Sequence, residues 1–163
     1  MPLLDASQPQ IQTLASFTAE ELIAPQMEVD SPVEAIAHLA LRMKAAGFVP
    51  DGAAVAAAAL EREERCSTAM DFGFALPHAR LEGIPGPCFA LGLCARPLDW
   101  RGGRVMGVIL LAVPESGATD YLRLVGGIAR LSACKERLGK LRRGRTAVEI
   151  LGLLGECSLK PSG

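Results

Sequence analysis

Apolar positions along this chain follow two rhythms, and their order implies an architecture. Ile36, Leu39, Ala40 and Met43 recur at helical spacing. Ahead of them Ser31 is a good N-cap, Pro32 suits the first helical position, Glu34 completes a capping box, and Gly47 marks the stop. Asp51 caps a second, alanine-rich helix over residues 53–64. Residues 88–95 and 105–113 are instead short apolar runs bounded by Pro or Gly, which read as strands, the second central in its sheet. Between them, Leu98-Asp99-Trp100 and Gly102-Gly103 form a connection that opens with a short strand. After Pro114, the Glu115-Ser116-Gly117 loop leads to a helix over 119–132 with a stripe of Leu122, Val125, Ile128, Ala129 and Leu131. Gly126-Gly127 weaken that helix by about 1 kcal/mol each but leave room for close approach to the sheet or the histidine loop. A short helix over 135–141 follows, and Thr146-x-x-Glu149 caps a last one through Leu154.

The N-terminal end is less patterned. Residues 1–15, with Pro2, Pro9 and several Gln, read as a loosely packed leader. Thr18-x-x-Glu21 caps a helical turn over 20–23, and a strand is expected over 27–29. Helices before and after a set of short strands argue for a single α/β domain over residues 16–157, with a tail over 158–163. No internal repeat is visible.

Composition narrows the function classes. The chain has 163 residues, enough for a real core, and its 50% hydrophobic share with one Trp and one Tyr means an aliphatic interior. A net charge of −1 carries neither a nucleic-acid nor a membrane footprint, and the basic run over 135–145 reads as a solvated helix end and turn. The five scattered cysteines show no metal spacing and read as buried small apolar residues in a reducing compartment. With no signal peptide and no membrane-length apolar run, a cytoplasmic location is expected. No Walker loop, kinase signature or acidic metal cluster is present, so neither a metal nor a cofactor is expected.

Candidate chemistry concentrates in Ser67-Thr68-Ala69-Met70-Asp71-Phe72-Gly73-Phe74-Ala75-Leu76-Pro77-His78-Ala79-Arg80. A Gly-containing turn leads into three apolar residues, and Pro77 ends the run directly before His78. The reading is a short strand whose end presents an imidazole at a rigid position. Arg80 falls on the same side if the chain stays extended. Ser67, Thr68, the amides of the Gly73 turn, Arg80 and Arg62 are candidate donors to an anion. An imidazole nitrogen with a free lone pair is a good phosphoryl acceptor, provided the other nitrogen is held by an acceptor such as a backbone carbonyl. Phosphoryl transfer then asks mainly for positioning and charge stabilisation. The other histidine, His38, lies alone in the first helix and reads as a surface or core-edge residue.

Arg62-Glu63, then Ser67-Thr68, then Gly73-Phe74-Ala75-Leu76-Pro77-His78 resembles the signature of the fructose/mannitol/nitrogen-type enzyme IIA domain (EIIA type 2) of the bacterial phosphoenolpyruvate-dependent phosphotransferase system (PTS). The resemblance runs from about Leu22 to Leu154. It implies a mixed β-sheet of about five strands with helices packed on both faces. It also implies that the histidine matching His78 accepts a phosphoryl group from the phosphocarrier HPr and passes it to a IIB partner. Many members carry a second histidine in the helix after a Val-Pro loop. Here the loop after Val113-Pro114 is about one residue shorter, and Tyr121 or Arg123 falls where that histidine is expected. Either can donate to a phosphoryl group, through a phenol or a guanidinium. Three roles stay open on the sequence. The chain is a sugar-transport phosphocarrier, or a nitrogen-type regulatory module whose grip on a target protein His78 phosphorylation switches. In the third, suggested by Tyr121 and Asp71, it keeps the fold without the activity.

Overall fold

The computed structural model describes residues 12–159. In chain order the elements are β1 (Ile23–Met27), α1 (Pro32–Ala45), α2 (Gly52–Arg65), β2 (Phe74–Ala75), β3 (His78–Leu81), β4 (Cys88–Trp100), β5 (Gly103–Pro114), α3 (Ala118–Ala133), α4 (Lys135–Arg142) and α5 (Ala147–Leu154). Two 3-10 turns, Leu14–Phe17 and Glu20–Leu22, precede β1. The local signals for α1, α2 and α5 act as expected: Ser31, Asp51 and Thr146 accept from the amides of Glu34, Ala54 and Glu149.

The β4–β5 hairpin is the spine. Arg101 and Gly102 have φ of 51° and 91°, so a two-residue turn joins Trp100 to its partner Gly103, a turn whose twist suits the strands on either side. The segment over 98–100 therefore belongs to β4 and is not a separate connection. β4 runs through Pro97 because the register shifts between Leu93 and Leu98, and such an irregularity accommodates the missing N–H. β1 pairs parallel to β4 at one side of the sheet, and β2 and β3 both pair parallel to β5 at the other. The sheet is thus mixed and five-stranded, as the family resemblance implied.

Alternation along the hairpin builds two cores. Cys88, Ala90, Cys94, Leu98 and Trp100 of β4, with Val105, Val108, Leu110 and Ala112 of β5, pack with α1 and α2. Phe89, Leu91, Leu93, Ile109 and Leu111 face α3, α4 and α5 on the other side. Helices therefore cover both faces.

The expectations for the N-terminal end need correction. The strand lies at Ile23–Met27 and not over 27–29, since an edge strand tolerates Pro25 and buries Ile23 and Ala24. Thr18 does not cap the following turn; its hydroxyl donates to the Phe89 carbonyl at 2.7 Å, pinning the segment to β4. Residues 1–11 and 160–163 lie outside the described residues. The rest of the supposed leader and tail is packed. Leu14 N–H donates to the Cys157 carbonyl at 3.0 Å, Leu159 N–H to the Gln12 carbonyl at 3.1 Å, and Leu14 and Leu159 join the second core. Gly127 of α3 serves this packing and not the histidine loop: a Cβ there would lie 2.8 Å from Leu14 and 2.6 Å from Leu159.

The cysteines divide. Cys88, Cys94 and Cys157 are buried as expected, whereas Cys66 is exposed and Cys134 half-buried. Burial pushes the Cys88 and Cys94 thiols up to about 11, so both are protonated at neutral pH. Iodoacetamide on the native protein is expected to alkylate Cys66 first and to reach Cys88 and Cys94 only after denaturation. Mass mapping that found all three modified at one rate would contradict this burial.

Candidate functional site

His78 owes its position to the pairing of a broken edge strand with β5. The apolar run yields only the two-residue β2, and Leu76-Pro77 interrupts the ladder before β3 begins at His78. His78 therefore opens a strand, where the sequence suggested that it closes one. Pro77 has no N–H to give, yet its carbonyl accepts from Leu111 N–H at 2.9 Å, so the chain stays in register through the break. Phe74 lies opposite Gly107, where a Cβ would sit 2.3 Å from the phenyl ring, so this pairing requires glycine. The register then places His78 beside Leu111 and Arg80 beside Val113.

The half-buried imidazole stands at the sheet edge in a cleft of about 390 Å³ between α2, β3 and α3. His78 Nδ1 lies 3.3 Å from the Leu76 carbonyl. A carbonyl can only accept, so Nδ1 carries the proton of this bond and the lone pair belongs to Nε2. Arg80 shares the cleft, as alternation along β3 requires. Ala58, Glu61, Arg62 and Arg65 contribute one face of α2. Tyr121 comes from α3, its ring centroid 6.1 Å from that of His78 and 5.3 Å from the Arg80 guanidinium carbon. Three guanidinium groups thus face the cleft against one carboxylate, Glu61, which pairs with Arg65 at 3.2 Å. An adjoining pocket of about 210 Å³ is lined by Arg62, Ser67, Thr68, Met70, His78 and Tyr121 among others.

The sequence candidates separate on this geometry. His78, Arg62, Arg80 and Tyr121 converge; Ser67 and Thr68 line the adjoining pocket. Arg62 is partly occupied, donating to the Cys66 carbonyl at 3.2 Å. Ser67 Oγ accepts from Ala69 N–H at 3.2 Å and keeps its own proton for a ligand. Gly73 lines neither cavity. Its φ of 84° makes the turn, but its N–H donates to the Met70 carbonyl at 3.1 Å, and the register puts Phe74 four residues down β5 from His78, about 13 Å at the usual strand rise. Arg123 also lies outside both cavities and pairs with Asp120 at 3.7 Å. Asp71 is exposed in the Gly73 turn and lines neither cavity. Of the apolar residues in the loop before His78, Phe74 is fully buried core, Phe72 packs on it, and Met70 is exposed. Leu122, read in the sequence as part of the apolar stripe of this helix, is instead exposed beside Tyr121. Arg65 was missed, although its spacing of three from Arg62 on one helix is a readable signal. His38 lies in α1 and accepts from Arg42 Nε at 3.2 Å; burial and that guanidinium hold its pKa below the usual histidine value.

Thr68 has a different task from the one expected. Its hydroxyl donates to Glu63 Oε2 at 2.6 Å and its N–H to Oε1 at 2.9 Å, while Trp100 Nε1–H donates to the same Oε1 at 2.6 Å. Glu63 is 5% exposed, and its backbone carbonyl accepts from Arg101. One buried carboxylate therefore fastens the last turn of α2, the segment leading to the edge strand and the tip of the hairpin.

Comparisons with known proteins agree with this fold. The family model described as "Phosphoenolpyruvate-dependent sugar phosphotransferase system, EIIA 2" matches residues 16–157. A nitrogen regulatory protein of Bradyrhizobium diazoefficiens is 32% identical over 145 residues, 86% of this chain and 94% of the relative. The PTS fructose-like EIIA component of Escherichia coli is 31% identical over 113 residues, 68% of this chain and 76% of the relative. Among solved structures, nitrogen regulatory protein IIA-Ntr of Neisseria meningitidis aligns with a TM-score of 0.74 at 22% identity, over 86% of this chain and 98% of that one. Mannitol IIA of Escherichia coli aligns at 0.70 and 17% identity, over 83% and 97%. The chain belongs to the EIIA type 2 family of the phosphoenolpyruvate-dependent phosphotransferase system, a family of phosphotransfer components.

Glu63→Ala leaves three donors of the network unpaired, two of them on the buried Thr68, at about 1–3 kcal/mol each. Urea unfolding followed by the fluorescence of Trp100, the one tryptophan, is expected to show a loss of about 3 kcal/mol or more. A loss below about 1 kcal/mol would show that the carboxylate is not the fastening described.

Proposed function

We propose that the chain is a PTS phosphocarrier acting through His78. Nε2 attacks the phosphorus of an HPr-type phosphohistidine; the new N–P bond forms as the donor's N–P bond breaks, and the donor imidazole leaves. The reverse exchange delivers the group to a IIB protein. The observation that carries this reading is the convergence of Arg62, Arg65, Arg80 and Tyr121 on an imidazole whose Nδ1 is tied to the Leu76 carbonyl. Guanidinium groups already in place stabilise the phosphoryl charge in transit. Tyr121 stands where many members have a second histidine and offers a phenolic donor in its place. The exposed Met70 and Leu122 supply apolar surface beside the cleft for a protein partner.

A IIB partner is supported by the Escherichia coli mannitol IIA, solved in complex with phosphorylated IIB and similar in fold at a TM-score of 0.69. An HPr-type donor is supported by relatives named multiphosphoryl transfer protein. Among the described residues no helix is long and apolar enough to cross a membrane. The cytoplasm, where such carriers meet, is the location that goes with this reading. A second reading rests on the nitrogen regulatory relative, matched over 94% of its length. In it the same phosphorylation switches binding to a regulated protein and no sugar is moved.

Incubation with phosphoenolpyruvate, enzyme I and HPr is expected to add one acid-labile phosphoryl mass. His78→Ala abolishes it and His38→Ala does not. Labelling that persists in the His78 variant would overturn the assignment.

The donors make a further test. Arg80→Ala and Tyr121→Phe are expected to slow phosphoryl acceptance by about tenfold each, the effect of one hydrogen bond to a charged group. Because Arg80 is exposed, its variant changes stability by only about 0.5 kcal/mol. Arg123→Ala leaves the rate unaltered, and Tyr121→His keeps His78 as acceptor with a modest change in rate. Stopped transfer kinetics in which Arg123→Ala matched Arg80→Ala would contradict this arrangement.

A further inference from the structure

The basic residues of the run over 135–145 are exposed, as its sequence reading implies. At the close of α4, Arg142, Arg143 and Arg145 also line a groove of about 440 Å³ with Gln26, Cys94 and Met106. This groove is far from His78. Met106 precedes Leu111, the partner of His78, by five residues along β5, about 16 Å at the usual strand rise.

The charge in the groove is unbalanced. The ion pairs formed among the described residues are Arg65–Glu61, Arg96–Asp30, Arg123–Asp120 and Lys140–Glu136, and none involves these three arginines. Glu149, the carboxylate bonded to this segment, accepts from the Arg145 backbone N–H at 3.2 Å and so caps α5 without meeting a guanidinium. Arg142 spends part of its fork on the Phe72 carbonyl; Arg143 and Arg145 are exposed. Three like charges within four residues repel one another, and a bound anion relieves that repulsion. Guanidinium forks match phosphate oxygens two at a time. The floor is of another kind: Met106 is 38% exposed there, beside Leu93 and Pro25, with the Gln26 amide at hand. The volume falls in the range of small-molecule sites, and such a concave shape suits a compact ligand better than an extended acidic chain.

We propose that this groove is a second anion site, one that takes a small phosphate-bearing molecule whose less polar part rests on Met106 and Pro25. It is independent of the reading of His78. Arg143 and Arg145 supply the phosphate contacts, Gln26 gives a directional hydrogen bond, and Arg142 forms a fixed wall.

Titration of the whole chain with inorganic pyrophosphate, followed by two-dimensional amide NMR, tests the site. Saturable shifts are expected at Gln26, Cys94, Met106 and Gly144, weakening as salt rises. The double variant Arg143→Gln, Arg145→Gln loses at least about tenfold in affinity at these amides. Any shifts at His78 and Tyr121 stay the same in both proteins, which separates this site from the His78 cleft and shows that the variant is folded. The proposal is overturned by shifts confined to the His78 cleft, by equal affinity in the double variant, or by an oligoglutamate peptide binding as tightly as pyrophosphate.

Discussion

The placement of His78 depends on one constraint, the register of an interrupted edge strand on β5. Two features hold that register across the break at Leu76-Pro77. Below it, Phe74 occupies space that only glycine at position 107 leaves free; above it, the Pro77 carbonyl holds Leu111 N–H. A slip of one residue would turn His78 and Arg80 to the other face of the sheet and bring Ala79 to the cleft. A short strand with two anchors is a firm mount for a side chain at an open edge. The interruption has a use of its own, because it leaves the Leu76 carbonyl free of the ladder to hold His78 Nδ1.

The second constraint is the buried Glu63. Its carboxylate uses the hydroxyl and amide of Thr68 and the indole of Trp100, which ties the end of α2 to the hairpin tip and brings the α2 face carrying Arg62 and Arg65 up to the histidine. Polar groups near the imidazole thus divide by task. Those that are buried hold the frame, and those that are exposed and cationic face the space where a phosphoryl group would stand. A half-open cleft suits the proposed hand-over, because a partner can reach the imidazole without a lid having to move.

Much of this was legible in the sequence where the deciding forces are local. Ser31, Asp51 and Thr146 cap their helices through side chains acting within three residues, and those helices begin where their caps predict. The two apolar runs of the hairpin and the α/β class followed from periodicity. What escaped depends on distant partners. Pro97 and Pro25 look like breaks until a register shift and an edge position accommodate them. Thr68 looks like a ligand-binding hydroxyl because its buried partners Glu63 and Trp100 cannot be inferred from spacing. Tyr121 and Arg123 both fall where the family resemblance expects a second histidine and differ only once α3 is placed, one facing His78 and the other Asp120.

The proposed transfer depends on which ring nitrogen of His78 is available. With Nδ1 held by the Leu76 carbonyl, the reactive lone pair is on Nε2. Long-range proton–nitrogen NMR of the phosphorylated protein, which separates the two ring nitrogens by their shifts and phosphorus couplings, measures this directly. The expected spectrum shows phosphorus bonded to Nε2 of His78, with Nδ1 still protonated. Phosphorus on Nδ1, or on a residue outside the cleft, would contradict it.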